Sequence, residues 1–121
     1  MSEQQYSESN LMQQPLIDSD QWGRLCSELG LDMLLEFADE FFDETREQWF
    51  EPAPDLTALS EKSFKSMAHR SAGAAGTIGF VKLRYVFLCM EHNTMGPETA
   101  RLIESMQGIL GETESWVKAQ Q

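Results

Sequence analysis

Leu31 to Trp49 reads L-D-M-L-L-E-F-A-D-E-F-F-D-E-T-R-E-Q-W. Leu31, Leu34, Leu35, Ala38, Phe41, Phe42, Thr45 and Trp49 recur three or four residues apart, which predicts one apolar stripe along an α-helix. Asp32, Glu36, Asp39, Glu40, Asp43, Glu44 and Glu47 fill the opposite face, and the plain reading of that acidic face is solvation. Glu51-Pro52-Ala53-Pro54 is expected to stop the helix, since both prolines lack an N–H and Pro54 biases Ala53 away from the α conformation.

The rest of the chain repeats the helical period. Upstream, Gln21 to Leu29 predicts a short first helix with Trp22, Leu25, Cys26 and Leu29 inward, capped by Asp18 or Ser19 and followed by Gly30. Downstream, a third helix starts between Asp55 and Ser60. Its inward stripe is Phe64, Met67, Ala68, Ser71, Ala72 and Ala75, and Gly79 ends it or bends it. Phe80 to Met90 is apolar nearly all round, as for a helix central to the core. Asn93, Thr94 and Gly96 make a turn, and Pro97 opens a last amphipathic helix through Ala100, Leu102, Ile103, Met106, Ile109, Leu110 and Val117. No segment alternates with period two, so the fold class is all-α. The short connections favour an antiparallel up-down four-helix bundle with a short additional N-terminal helix, five helices in all. Residues 1–14, rich in Ser, Gln and Glu, are expected to form a flexible tail, and 15–121 the bundle domain.

A chain of 121 residues makes one domain. Its net charge of −11 speaks against nucleic acid and anionic membranes as partners, because both recruit clustered Lys and Arg. The N-terminus carries no basic-then-apolar signal pattern, and a cytoplasmic protein is expected. Cys26 and Cys89 are far apart and form no C-x-x-C, so they read as reduced, buried thiols.

The functional signal lies in Met67 to Phe80, M-A-H-R-S-A-G-A-A-G-T-I-G-F. The turns after His69 are almost entirely Ala, Gly and Ser, so something can approach the backbone there. His69 falls off the core stripe, on a side shared with Lys62, Lys65, Ser66, Gly73 and Gly76. Between Lys62 and Met90 there is no Asp or Glu, in a chain with 20 of them. The same window holds Lys62, Lys65, Arg70, Lys82 and Arg84, more than half of the 9 basic residues. A histidine on a bare, locally basic face suits a covalently held anion such as phosphate. An ordinary imidazole, with a pKa near roughly 6.5, is largely neutral and nucleophilic at cellular pH. Small residues at Ala68, Ala72 and Ala75 also serve close helix packing. His92 with Cys89, Glu91 and His69 matches no standard metal spacing.

The stretch A-H-R-S-A-G-A-A-G-T-I-G-F at 68–80 resembles the histidine-containing phosphotransfer (HPt) domains of multistep phosphorelays. Glycines stand four and ten places after His69, and Leu83 and the C-M-E of 89–91 continue the pattern. P-L-I-D at 15–18 and E-L-G-L-D-M-L-L-E-F at 28–37 are similar to the family's opening, so the likeness spans roughly 15–118. The resemblance implies that His69 takes a phosphoryl group from the aspartate of a receiver domain and passes it to another receiver. The implied partners are response-regulator receivers and a hybrid sensor histidine kinase, with the domain itself a monomer. It implies no cofactor on this chain, the Mg²⁺ being expected on the receiver, and no autonomous kinase activity. Lys62, Ser66, Ala72, Gly73 and Gly76 would form the docking surface. Many members have leucine two places and lysine three places after the histidine, where this chain has Ser71 and Ala72. Lys65 and Arg70 are therefore the candidates to support the phosphoryl group, Lys65 having the better helical geometry. The rival reading is an acidic helical adaptor that binds a signalling partner without phosphorylation.

Overall fold

The computed structural model describes residues 6–50, 60–93 and 96–121, and among them six helices and no strand. The all-α expectation holds. The expected stop at Glu51–Pro54, the 55–59 part of the third predicted helix's start, and Thr94 lie outside the described residues.

Of the expected tail, residues 1–5 lie outside the described residues, and the first helix corrects the expectation for the part around 7–12. Helix α1 (Glu8–Leu11) is a single turn whose N-cap, Ser7, accepts from the Asn10 amide. Leu11 is buried to 1% exposure, worth about 1.5–3 kcal/mol for such a side chain. Arg101 donates to Glu8 at 3.0 Å and ties the turn to the rest of the protein. One leucine among polar neighbours makes no periodic pattern, which is why this element was hidden and why six helices replace five.

Helix α2 (Ser19–Leu29) begins where a cap was expected: the Asp18 carboxylate accepts from the Gln21 amide at 3.1 Å. Trp22 is buried, Leu25 and Cys26 are half-buried, and Leu29 is exposed rather than inward. Gly30, at φ +89°, is the single residue between α2 and α3 (Leu31–Trp49). Helix α3 follows its predicted stripe. Leu34, Ala38, Phe41, Phe42, Thr45 and Trp49 are buried, while Met33 and Phe37 on the acidic side are about half exposed.

Helix α4 (Glu61–Thr77) starts at Ser60, whose hydroxyl accepts from the Ser63 amide. It ends in a Schellman turn: the Phe80 amide donates to Ala75 O at 2.9 Å and the Gly79 amide to Gly76 O at 3.3 Å. Gly79 adopts φ +87°, the left-handed conformation that this turn demands and that glycine reaches without steric cost. Its carbonyl accepts from the Asp18 amide at 2.8 Å, fastening the turn to the start of α2. Helices α5 (Val81–His92) and α6 (Pro97–Lys118) complete the chain, with Pro97 in the first turn of α6 as expected.

Phe80 leaves the turn directly into the core, where it is 0% exposed. Its ring stacks on Phe42 (5.5 Å, 9° between planes) and meets Phe41 at 5.4 Å and Trp22 at 6.3 Å. Trp22 meets Trp116 edge-on at 5.2 Å, and Trp49 packs against Phe64 and Phe87. Leu83 and the run Val86 to Met90 are buried, so α5 is the central helix the sequence suggested. No described helix is long and apolar enough to cross a membrane.

Gly79→Ala should destabilise the fold. It forces an L side chain into the left-handed region, costing about 1–2 kcal/mol, and brings a Cβ to 3.3 Å from the Asp18 carbonyl. Chemical denaturation should show a lower midpoint with an unchanged slope.

Candidate functional site

Helix α4 turns its small inward residues onto α5 and so leaves His69 outside. Ala68 and Ala75 are fully buried, Phe64 lies at 1%, and the His69 side chain is 71% exposed. The other predicted residues of that face, Lys62, Ser66 and Gly73, are also exposed.

Helix α5 brings back a residue to which the sequence reading gave no role. The His69 Nδ1 lies 2.9 Å from Glu91 Oε2, across 22 residues of chain. An ionised carboxylate can only accept, so this contact requires Nδ1 to carry the proton. In the neutral ring the lone pair then sits on Nε2, the nitrogen turned away from Glu91. A solvent-exposed imidazole with one nitrogen tied and the other a free base is a positioned nucleophile.

Glu91 was traceable in the sequence. The acid-free window is bounded by Glu61 and Glu91, and both fold back onto it. Glu91 binds His69, and Glu61 pairs with Lys65 at 3.2 Å, one turn along α4. That second pair is solvent-exposed and so contributes little to stability. Arg70 turns toward α3, lining a small groove with Glu44, Gln48 and Ala74, and makes no ion pair among the described residues.

Three predicted docking residues need correction or refinement. Ala72 is 3% exposed and belongs to the core, because α4 rotates it toward its neighbours rather than toward solvent. Gly76 is not bare: a Cβ there would meet Arg84 Cδ at 3.0 Å, since the Arg84 side chain lies across it. Its carbonyl and that of Thr77 each accept from the Gln21 carboxamide at 2.9 Å, which ties α4 to α2. Of the two predicted docking glycines only Gly73 is open, with nothing among the described residues within 4 Å of a Cβ. Gly73, Gly76 and Arg84, with Asp18, Gln21 and Thr77, line a surface groove beyond His69.

Ser71 has a structural reason. It is buried, accepts from the Trp49 indole N–H at 3.2 Å and donates onward to Gln48 at 3.3 Å. A larger apolar residue would leave the buried indole without its partner. His92 ends α5, half exposed, with its ring stacked on Tyr6 at 5.0 Å.

No family model, curated protein or solved structure matches the chain.

Among the described residues no group of His, Cys, Asp and Glu side chains is arranged to hold a metal. Both cysteines are free thiols. Burial, with smaller contributions from Glu98 and Glu8, pushes the Cys89 thiol up to about 12. The thiolate is the reactive form, so Cys89 is inert at neutral pH. Alkylation of the folded protein near pH ~8 should modify Cys26 and spare Cys89, with both modified after denaturation; mass spectrometry of tryptic peptides reads the result.

Proposed function

We propose that the chain is a histidine phosphotransfer domain of the HPt type, in which His69 carries a phosphoryl group between receiver domains. The observation that supports this most is the exposed His69 ring, with Nδ1 bound to Glu91 and Nε2 open to solvent. In the forward step the Nε2 lone pair attacks the phosphorus of a receiver's aspartyl phosphate. The N–P bond forms as the P–O bond to the aspartate breaks, and the carboxylate leaves with the electron pair. Transfer to the next receiver reverses this with a second aspartate as nucleophile. The Nδ1 proton stays with Glu91 throughout, so no proton need cross the interface. The receiver would contribute the Mg²⁺, and this chain the positioned imidazole.

In this reading α3, α4, α5 and α6 form the up-down antiparallel four-helix bundle of the family. Supporting it, α4 packs on α5, α5 on α6, and α3 on both α6 and α4, which closes a ring. The two departures from the family's pattern are compatible with it. Ser71 carries the Trp49 indole in place of a leucine, and Lys65 offers a cation where position 72 has none. The surface pair of Lys65 with Glu61 is weak enough to yield to a doubly charged phosphoryl group. Receiver docking would use the open face around Gly73, with Lys62 and Ser66 beside it. The domain would work in the cytoplasm as a monomer, between a hybrid sensor kinase and response regulators.

A second reading has its own support. Met33 and Phe37 lie one turn apart on the acidic face of α3, 45% and 44% exposed, as a partner-binding stripe would be. An adaptor could use that stripe without any phosphate on His69.

Incubation with a phosphorylated receiver domain and Mg²⁺ separates the two. Label should move to the wild type in acid-labile, base-stable form and not to His69→Gln. Transfer to both proteins, or to neither from a panel of receivers, would contradict the relay. Gly73→Leu adds a side chain where nothing among the described residues lies within 4 Å, so the fold should persist. It should nevertheless slow transfer about tenfold, equivalent to roughly 1.4 kcal/mol of lost docking energy. Single-turnover transfer rates measure this.

A further inference from the structure

The Glu91 carboxylate has two oxygens, and His69 uses one. Oε2 meets His69 Nδ1 at 2.9 Å, whereas Oε1 is buried and has no hydrogen-bond partner among the described residues. A buried carboxylate oxygen left unsatisfied is uncommon and calls for an explanation. The donor nearest at hand is His92, whose Nε2 stands 3.8 Å from Oε1. That is beyond a hydrogen bond, but rotation of an exposed ring by roughly an ångström would bring it within range.

His92 is held where such a movement is short. Its ring stacks on Tyr6 at 5.0 Å with 25° between planes. Tyr6 is fixed in turn, since its carbonyl accepts from Asn93 Nδ2 and its ring meets Tyr85 edge-on at 5.4 Å. The Ser7 amide reaches the Tyr85 hydroxyl, and Leu11 anchors the segment in the core. The N-terminal segment therefore braces the end of α5 beside the site.

We propose that His92, braced by Tyr6, is a second-histidine positioning residue: its Nε2–H supplies the donor that Glu91 Oε1 lacks, and so locks Oε2 onto His69 Nδ1. With both oxygens bound, the carboxylate cannot rotate away, and His69 stays in the tautomer that leaves Nε2 free. Without His92, Oε1 would seek water by turning outward, and the His69 ring would lose its orientation. The inference rests on the relay reading for its consequence, but its test is read on the imidazole itself.

The tautomer of His69 is measured by ¹⁵N–¹H correlation of the imidazoles above pH ~8, where an ordinary ring is neutral. Wild type, His92→Phe and His92→Gln are compared. Phenylalanine keeps the stack on Tyr6 but has no donor; glutamine keeps an N–H donor but not the ring. The expected result is that His92→Phe shifts His69 from the Nδ1–H form toward the Nε2–H form, while His92→Gln retains Nδ1–H. Retention of Nδ1–H in His92→Phe would overturn the proposal, as would its loss in both variants, which would make packing rather than donation the cause. Labelling of the three proteins by phosphoramidate, a small donor that needs no receiver, should be slower for His92→Phe than for the other two. If these patterns appear while no receiver transfers label to the wild type, the relay reading fails and the positioning role stands.

Discussion

The chain reverses between α4 and α5 through Gly79, and the site depends on that turn. A left-handed residue is required where Ala75 and Gly76 carbonyls are captured by the following amides, and glycine meets the need without strain. The turn delivers Phe80 into the aromatic cluster of Phe41, Phe42 and Trp22, while the Gly79 carbonyl fastens it to α2. With the turn locked and the alanines of α4 pressed on α5, the rotation of α4 about its axis has no freedom left. His69 must face out, and Glu91, near the other end of α5, must come beside it.

Charge then gives the exposed histidine its character. A protein of net charge −11 keeps Asp and Glu out of positions 62–90 and sets a glutamate at each edge of that stretch. One of them occupies Lys65, and the other fixes a proton on one ring nitrogen. The result is an exposed imidazole with one nitrogen engaged, set among cations in an otherwise acidic molecule. In the relay we propose, such an arrangement would favour an incoming phosphoryl group locally, while the acidic surface elsewhere repels non-specific anions.

Much of this was legible in the residue pattern, for identifiable reasons. The 31–49 stripe is long and strictly periodic, so its helix appears with the bounds the pattern suggested. Asp18 and Gly79 act through local backbone chemistry, which sequence expresses directly. The exposure of His69 followed from helical spacing alone. Other features depend on contacts between distant segments. The burial of Leu11 comes with the packing of α1 on α5, and no short window shows it. Arg84 covering Gly76 needs the α4–α5 hairpin to form first, so a glycine that looked bare is used within the fold. The partner of His69 lies 22 residues away, and neither the charge boundary at Glu91 nor its place in the C-M-E of 89–91 shows that the two side chains meet.

The hydrogen bond to Glu91 distinguishes the two ring nitrogens of His69. The most direct measurement is to phosphorylate uniformly ¹⁵N-labelled protein and find the bonded nitrogen from ³¹P–¹⁵N coupling. The arrangement with Glu91 predicts a single phosphoryl group on Nε2 of His69. Phosphorylation at Nδ1, which would require breaking the Glu91 hydrogen bond, or at His92 in preference to His69, would contradict it.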